Sequence, residues 1–242
     1  MSRRRLDTEL VSRGLFATVE HARQAIEARL VLVNSSTATK FQTMVEPAAN
    51  ITVRSPKAYV SRGGDKLAGA LEDFHLEVRD RKCFDAGAGS GGFTDCLLRL
   101  GASHVTAVDV GYGQFDWSLR NDPRVNLIER TNLRLAAVET FEGPYDVVVA
   151  DLSFISLKRV LAVFLALSAP VADWILLVKP QFEAPRDQVG PGGIVRDPEV
   201  WESVMLSITD ACNTLGVTVA GTTPSRLKGA SGNQEFFLWA KP

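Results

Sequence analysis

Lys82-Cys-Phe-Asp85-Ala-Gly87-Ala-Gly89-Ser-Gly91-Gly92-Phe93 is a short apolar strand running into a glycine-rich loop that opens a helix. Glycine at a strand's carboxyl end lets the chain turn sharply and lets a ligand approach bare backbone. Gly87, Gly89 and Gly92 satisfy the G-x-G-x-x-G dinucleotide pattern letter for letter, and Asp109 follows 17 residues after Gly92. An acidic residue there meets ribose hydroxyls, so the loop by itself fits NAD as well as S-adenosylmethionine. Asp85 tilts the balance. A carboxylate just before the loop repels a pyrophosphate but can engage an ammonium group, which S-adenosylmethionine carries. Thr131-Asn132, near the end of a later strand, is placed to meet an adenine.

Outward from the loop, strand-like and helical runs alternate. The pattern predicts strands over Lys82–Ala86, Val105–Val110, Val125–Glu129, Tyr145–Ala150 and Trp174–Val178. Helices are predicted over Gly92–Leu100, near Trp117, over Leu157–Leu167 and over Glu199–Leu215. This rhythm predicts an α/β domain with a doubly wound, mostly parallel sheet. Two final strands, Val217–Gly221 and Glu235–Trp239, have no helix between them and predict an antiparallel hairpin at one edge. Val160–Val178 is almost wholly apolar and long enough to span a bilayer. Pro170 and Asp173 interrupt it, so a buried helix, a turn and a buried strand are expected instead.

A different unit precedes this one. Leu6–Arg13 and a segment starting at Thr18, an N-cap residue, read as two amphipathic helices. Leu30–Asn34 and Ile51–Val53 read as strands. The expected organisation is a small α+β domain over residues 1–54, a linker over 55–62 and the α/β domain over 63–242. Residues 1–62 hold ten Lys and Arg against five Asp and Glu; the remainder holds 17 against 23. A basic head on an acidic body suits electrostatic docking onto nucleic acid. Arg3, Arg4, Arg5, Arg13 and Arg23 are the candidate phosphate contacts. Cys83, Cys96 and Cys212 form no C-x-x-C pair, and the three histidines are scattered. Neither a disulfide framework nor a metal site is expected, and a reducing cytoplasm fits best.

Asp151 and Lys179 close two successive strands, which aims both at the crevice outside the strands' carboxyl ends. A charged pair there is either structural or catalytic. An amine at its ordinary pKa is a poor base at neutral pH, and desolvation with a second nearby cation makes it a better one. Lys66 is placed to supply that cation, and Glu235 to orient either Lys66 or the ribose.

These stretches together resemble the TlyA family of ribosomal RNA 2′-O-methyltransferases, historically labelled haemolysins. The likeness runs from about Arg3 to Trp239. The head resembles an S4 RNA-binding domain through Arg5-Leu-Asp7, Leu10-Val-Ser-Arg13-Gly14, Ala22-Arg23-Gln24-Ala25-Ile26 and Val31-Leu-Val33-Asn34. The body resembles FtsJ-like enzymes through Ser61-Arg-Gly-Gly-Asp-Lys66-Leu, the glycine loop, Asp109-Val-Gly-Tyr-Gly-Gln114, Glu129-Arg-Thr-Asn132, Asp151-Leu-Ser-Phe154-Ile-Ser, Lys179-Pro-Gln-Phe-Glu183 and Gly232-Asn-Gln-Glu235-Phe. Thr18, where a Ser-Arg pair is typical, and Asn34-Ser, where Asn-Gly or Asp-Gly is common, depart from the S4 pattern.

The resemblance implies a Rossmann-like sheet with a reversed final strand and a catalytic tetrad of Lys66, Asp151, Lys179 and Glu235. It implies S-adenosyl-L-methionine held by Asp85, Gly87, Gly89, Gly91, Gly92, Phe93, Asp109, Asn132, Asp151 and Phe154. The implied substrate is a cytidine of ribosomal RNA within a ribosomal subunit, and the enzyme is expected to be a cytoplasmic monomer without metal or membrane. Relatives with longer C-termini are linked to both subunits and shorter ones to the large subunit. The short end here leans to the latter, while the rest of the chain resembles the longer class, so both stay open. Competing readings are a non-catalytic S4 assembly factor and a membrane-active haemolysin.

Overall fold

A computed structural model describes residues 3–54 and 58–242. The chain divides into two compact units, 1–57 and 58–242. Of the expected linker, residues 55–57 lie outside the described residues.

In the first unit, β1 (Arg4–Arg5), α1 (Leu6–Ser12), α2 (Val19–Glu27), β2 (Val31–Val33), β3 (Ser36–Thr37), β4 (Met44–Val45) and β5 (Ile51–Val53) follow in order. Thr18 caps α2 as expected, its hydroxyl accepting from the His21 N–H at 3.2 Å. Leu6, Leu10, Ala22, Ile26 and Val31 come together as a buried core because their helical and strand spacings bring them to one side. Asn34 and Ser35 both adopt positive φ, 49° and 68°, in the turn joining β2 to β3. Ser35 therefore bears the cost of about 1 kcal/mol that glycine would avoid in this turn.

The second unit carries α3 (Arg62–Asp73), β6 (Lys82–Ala86), α4 (Gly92–Arg99), β7 (His104–Val108), α5 (Trp117–Arg120), β8 (Val125–Ile128), β9 (Tyr145–Ala150), α6 (Leu161–Leu167), β10 (Ser168–Val178), α7 (Pro180–Glu183), α8 (Pro198–Thr214), β11 (Thr218–Pro224) and β12 (Phe236–Lys241). The seven strands lie in the order β11-β12-β10-β9-β6-β7-β8. All neighbours are parallel except β12, which runs antiparallel to both β10 and β11. The hairpin thus folds back into the sheet, leaving β11 at the edge. Along β9, Val148 and Ala150 face the α6/α8 side while Val147 and Val149 face the α3/α4 side. That two-residue alternation covers both faces of the sheet with helix.

Two features differ from expectation. The apolar run forms α6 and then passes directly into β10, which starts at Ser168 and slips register before Asp173. No helix among the described residues is long and apolar enough to cross a membrane. The helix α3 was not expected at all. Its first turn contains Gly63 and Gly64, poor helix formers, and it forms because it packs. A Cβ on Gly64 would lie 2.3 Å from the Tyr59 side chain, so only glycine admits that ring. Tyr59 and the Val60 N–H, which donates to Asp95 at 2.8 Å, thereby dock residues 59–60 on α3 and α4.

Candidate active site

The strand order reverses direction between β6 and β9, and crevices open at such switch points. A cleft of about 640 Å³ lies there, lined by α3, the glycine loop and the carboxyl ends of β7 to β10. This is an ordinary size for a small-molecule site. Lys66, Gly87, Gly89, Gly92, Phe93, Asp109, Asn132, Asp151, Phe154 and Lys179 all line it.

The expected tetrad resolves into two ion pairs. Lys179 Nζ lies 2.6 Å from Asp151 Oδ1 and donates to Ser153 Oγ at 2.8 Å. Lys66 Nζ donates to Glu235 Oε2 at 2.6 Å. Lys66 is 8% and Glu235 2% exposed, so this second pair is buried. Glu235 stands behind Lys66 and does not line the cleft. Proximity follows from strand order for the first pair: β9 and β10 are neighbours, and their last residues meet. The second pair joins α3 to the start of β12.

Asp109 braces the glycine loop, its two oxygens accepting from Gly89 N at 2.8 Å and Gly111 N at 2.6 Å. Gly87 has φ +78°, and a Cβ there would lie 2.6 Å from the Asp151 carbonyl oxygen. Gly87→Ala is expected to cost about 1–2 kcal/mol from the left-handed backbone alone and to push the Asp151 turn aside. Chemical denaturation and calorimetric titration with S-adenosylmethionine check it. Wild-type stability and affinity would show that the close approach is dispensable. Gly91, the N-cap of α4, lies outside the cleft and abuts Leu119 and Phe115 instead.

Asp85 is fully buried beneath the loop and also lies outside the cleft lining. Its Oδ2 accepts from Thr94 Oγ1 at 2.6 Å, and its Oδ1 has no hydrogen-bond partner among the described residues. Burial pushes its pKa up to about 7, against the opposing pull of the Thr94 bond. An orphaned buried carboxyl below a glycine cradle fits an ammonium-bearing cofactor and disfavours a pyrophosphate. Because this pKa lies above the unfolded value of about 4, the stability Asp85 contributes is complete below pH 4 and is lost as pH rises through 7. Stability of the cofactor-free protein is thus expected to fall over that window by up to about 1.4 kcal/mol per pH unit. Asp85→Asn should flatten the slope in denaturant titrations at pH 5, 6 and 7; an unchanged slope would exclude Asp85 as its source.

Several site residues carried no assigned role in the sequence. Ser153 and Phe182 flank the Lys179 amine, and Ser61, the N-cap of α3, lines the cleft. Phe154 is 91% exposed at φ +65°, and its ring lies 5.1 Å from that of Phe182.

The five candidate phosphate-binding arginines of the first unit, Arg3, Arg4, Arg5, Arg13 and Arg23, all have partners within it. Arg5 and Arg23 bind Asp7 at 2.8 and 2.9 Å and lie over the Phe41 ring. Burial raises the Asp7 pKa, but these guanidinium bonds outweigh it and hold the carboxyl at about 2. Arg13 binds Glu9 and the carbonyls of Pro47 and Ala49, so it braces that loop. Arg3 pairs with Glu46 and Arg4 with Ser12. Arg13 is the least exposed of the five at 26%, against 63% for Arg3.

Comparison with known proteins agrees with this architecture. The model of the FtsJ-like methyltransferase family matches residues 59–242, and that of the S4 domain matches residues 4–51. The chain is 49% identical to the 16S/23S rRNA (cytidine-2′-O)-methyltransferase TlyA of Mycobacterium tuberculosis, covering 100% of this chain and 91% of that protein. It is 38% identical to Hemolysin A of Brachyspira hyodysenteriae, covering 96% and 97%. A solved structure described as a candidate hemolysin of Streptococcus thermophilus superposes with a TM-score of 0.76 at 38% identity, covering 100% and 89%. A full-length match at this identity, joined to both domain models, places the chain in the TlyA family of FtsJ-like methyltransferases with an N-terminal S4 domain.

Proposed function

We propose that this protein transfers a methyl group from S-adenosyl-L-methionine to the 2′-hydroxyl of a cytidine in ribosomal RNA, acting as a cytoplasmic monomer on a ribosomal subunit. The observation that carries this reading is the Lys179–Asp151 pair, 2.6 Å apart, at the mouth of a cleft floored by a glycine loop. The activity in the name of the 49% identical relative supports the same chemistry.

The cofactor, when bound, supplies an electrophilic methyl group. Gly87, Gly89, Gly92 and Phe93 would hold its amino-acid end, with Asp85 buried beneath that loop, Asp109 would meet its ribose and Asn132 its adenine. Lys179, acting as the neutral amine, would orient the ribose 2′-oxygen and take its proton as the methyl group passes from sulfur to oxygen, with Asp151 fixing the amine in place. Lys66, held by Glu235, adds a positive charge to the same cleft, which disfavours a second charge on Lys179 and favours the developing oxyanion. Phe154 is better suited to the RNA side than to the cofactor: its exposed ring at the rim offers a stacking face to a base that leaves its helix. In the S4 unit, Arg3, Arg4, Arg5 and Arg23 keep exposed guanidinium surface for phosphates, whereas Arg13 acts by holding its own loop. Phosphate contacts position the RNA without reading its sequence, and they weaken with salt.

The test is transfer of label from S-adenosylmethionine to purified 30S and 50S subunits lacking the modification. Label that blocks alkaline cleavage at one nucleotide is the expected result, and the subunit labelled shows which one is served. No label on either subunit, with cofactor binding intact, would overturn the ribosomal assignment.

A further inference from the structure

We propose that Glu183 is a positioning residue for methyl transfer, latching the loop that carries Asp151 to the loop that carries Lys179. This rests on the reading of Lys179 and Asp151 given above. Glu183 lies outside the cleft lining and touches no reacting group.

Asp151 and Lys179 are each the first residue beyond a strand, so the sheet alone fixes only their backbones. The loop beyond each strand must be held for the amine and carboxylate to stay in register. Asp151 N is tied to Ala86 O at 2.9 Å, which fixes the start of its loop. The far end is tied by Glu183. One carboxylate oxygen accepts from Ser156 Oγ at 2.5 Å, and the other accepts from Leu157 N at 2.7 Å. Both oxygens of a side chain four residues after Lys179 are thus spent on the loop five residues after Asp151. The single turn α7, begun by Pro180, gives Glu183 its reach back across that gap.

The loop needs such a tie. Phe154 lies within it at φ +65° while 91% exposed, so the tilted contact of its ring with Phe182 leaves most of the side chain in solvent and does little to sustain a left-handed backbone. Strained residues of this kind persist only where surrounding contacts over-determine them. Lys179 to Ser153 on one side of Phe154, and Glu183 to Ser156 on the other, bracket it. Burial raises the Glu183 pKa, and its two bonds oppose the rise, the balance expected of a carboxylate used as a fixed acceptor.

The experiment compares wild type with Glu183→Ala, Glu183→Gln and Ser156→Ala, reading hydrogen exchange of the 151–157 amides together with kcat and KM for S-adenosylmethionine. Glu183→Ala should speed exchange across 151–157 and lower kcat by about 10²-fold, the cost of a small misplacement of reacting groups, with cofactor KM close to wild type. Glu183→Gln keeps an acceptor for Leu157 N and should recover most of the rate; Ser156→Ala removes one bond and should fall between. Unchanged exchange overturns the latch, and so does unchanged kcat. A glutamine variant as slow as the alanine variant would overturn it too, since charge rather than position would then matter. Should Glu183→Ala not fold, the other two variants carry the test. The exchange arm requires no turnover, so it stays decisive if ribosomal RNA proves not to be the substrate.

Discussion

Lys179→Ala is expected to lower the rate of methyl transfer by about 10²–10⁴-fold, the range for loss of a general acid–base group, while S-adenosylmethionine still binds. The amine follows β10 and, among the described residues, has Asp151 and Ser153 within hydrogen-bonding distance, at 2.6 and 2.8 Å. No element of the cofactor cradle depends on it: the glycine loop is braced by Asp109 and capped onto α4. Loss should therefore appear in kcat rather than in cofactor KM, since the interaction removed is one made to the reacting hydroxyl. Lys179→Arg should fail to rescue, because a planar guanidinium cannot occupy a seat shaped for a compact ammonium and has no accessible neutral form. Single-turnover assays at saturating cofactor and RNA check both variants. Transfer by Lys179→Ala near the wild-type rate would reduce the Lys179–Asp151 contact to a structural ion pair.

Reach from sequence to this site was uneven, for physical reasons. Strand residues such as Val147–Ala150 and Trp174–Val178 were legible because burial on both faces demands continuous apolar runs. Asp151 and Lys179 were legible because each is a charge that interrupts such a run at its end. The helix α3 was not: its Gly63 and Gly64 argue against a helix locally, and the Tyr59 ring packed over Gly64 accounts for the second of them. Lys66 was legible as a second cation just beyond the linker, whereas the helical turn that aims it was not. Asp85 illustrates the opposite error of scale. Its position before the loop was plain, but its depth was not, and depth makes it a buried neutral-leaning carboxyl rather than a pocket wall. The arginines of the head were read as a charge count. Their partners come from α1 and the loop at 46–49, contacts that no count reveals.

Glu235→Ala is expected to destabilise the protein by about 3–5 kcal/mol, the cost of stranding one partner of a buried pair. Lys66 would keep its ammonium at 8% exposure with its 2.6 Å acceptor gone, on a helix whose packing against β12 the pair reinforces. Lys66→Met alone should cost a similar amount by stranding the carboxylate. The double variant Lys66→Met/Glu235→Leu removes both charges together, and apolar replacement of a buried pair is often neutral or stabilising. Its stability should return to near wild type in denaturant titrations. Methyl transfer should not return, because the second cation of the cleft is still missing. That dissociation of stability from rate distinguishes a catalytic pair from a structural one, which single replacements cannot do. A double variant that is both stable and active would leave Lys179 and Asp151 as the whole catalytic apparatus, with Lys66 and Glu235 serving only to pin α3 to β12.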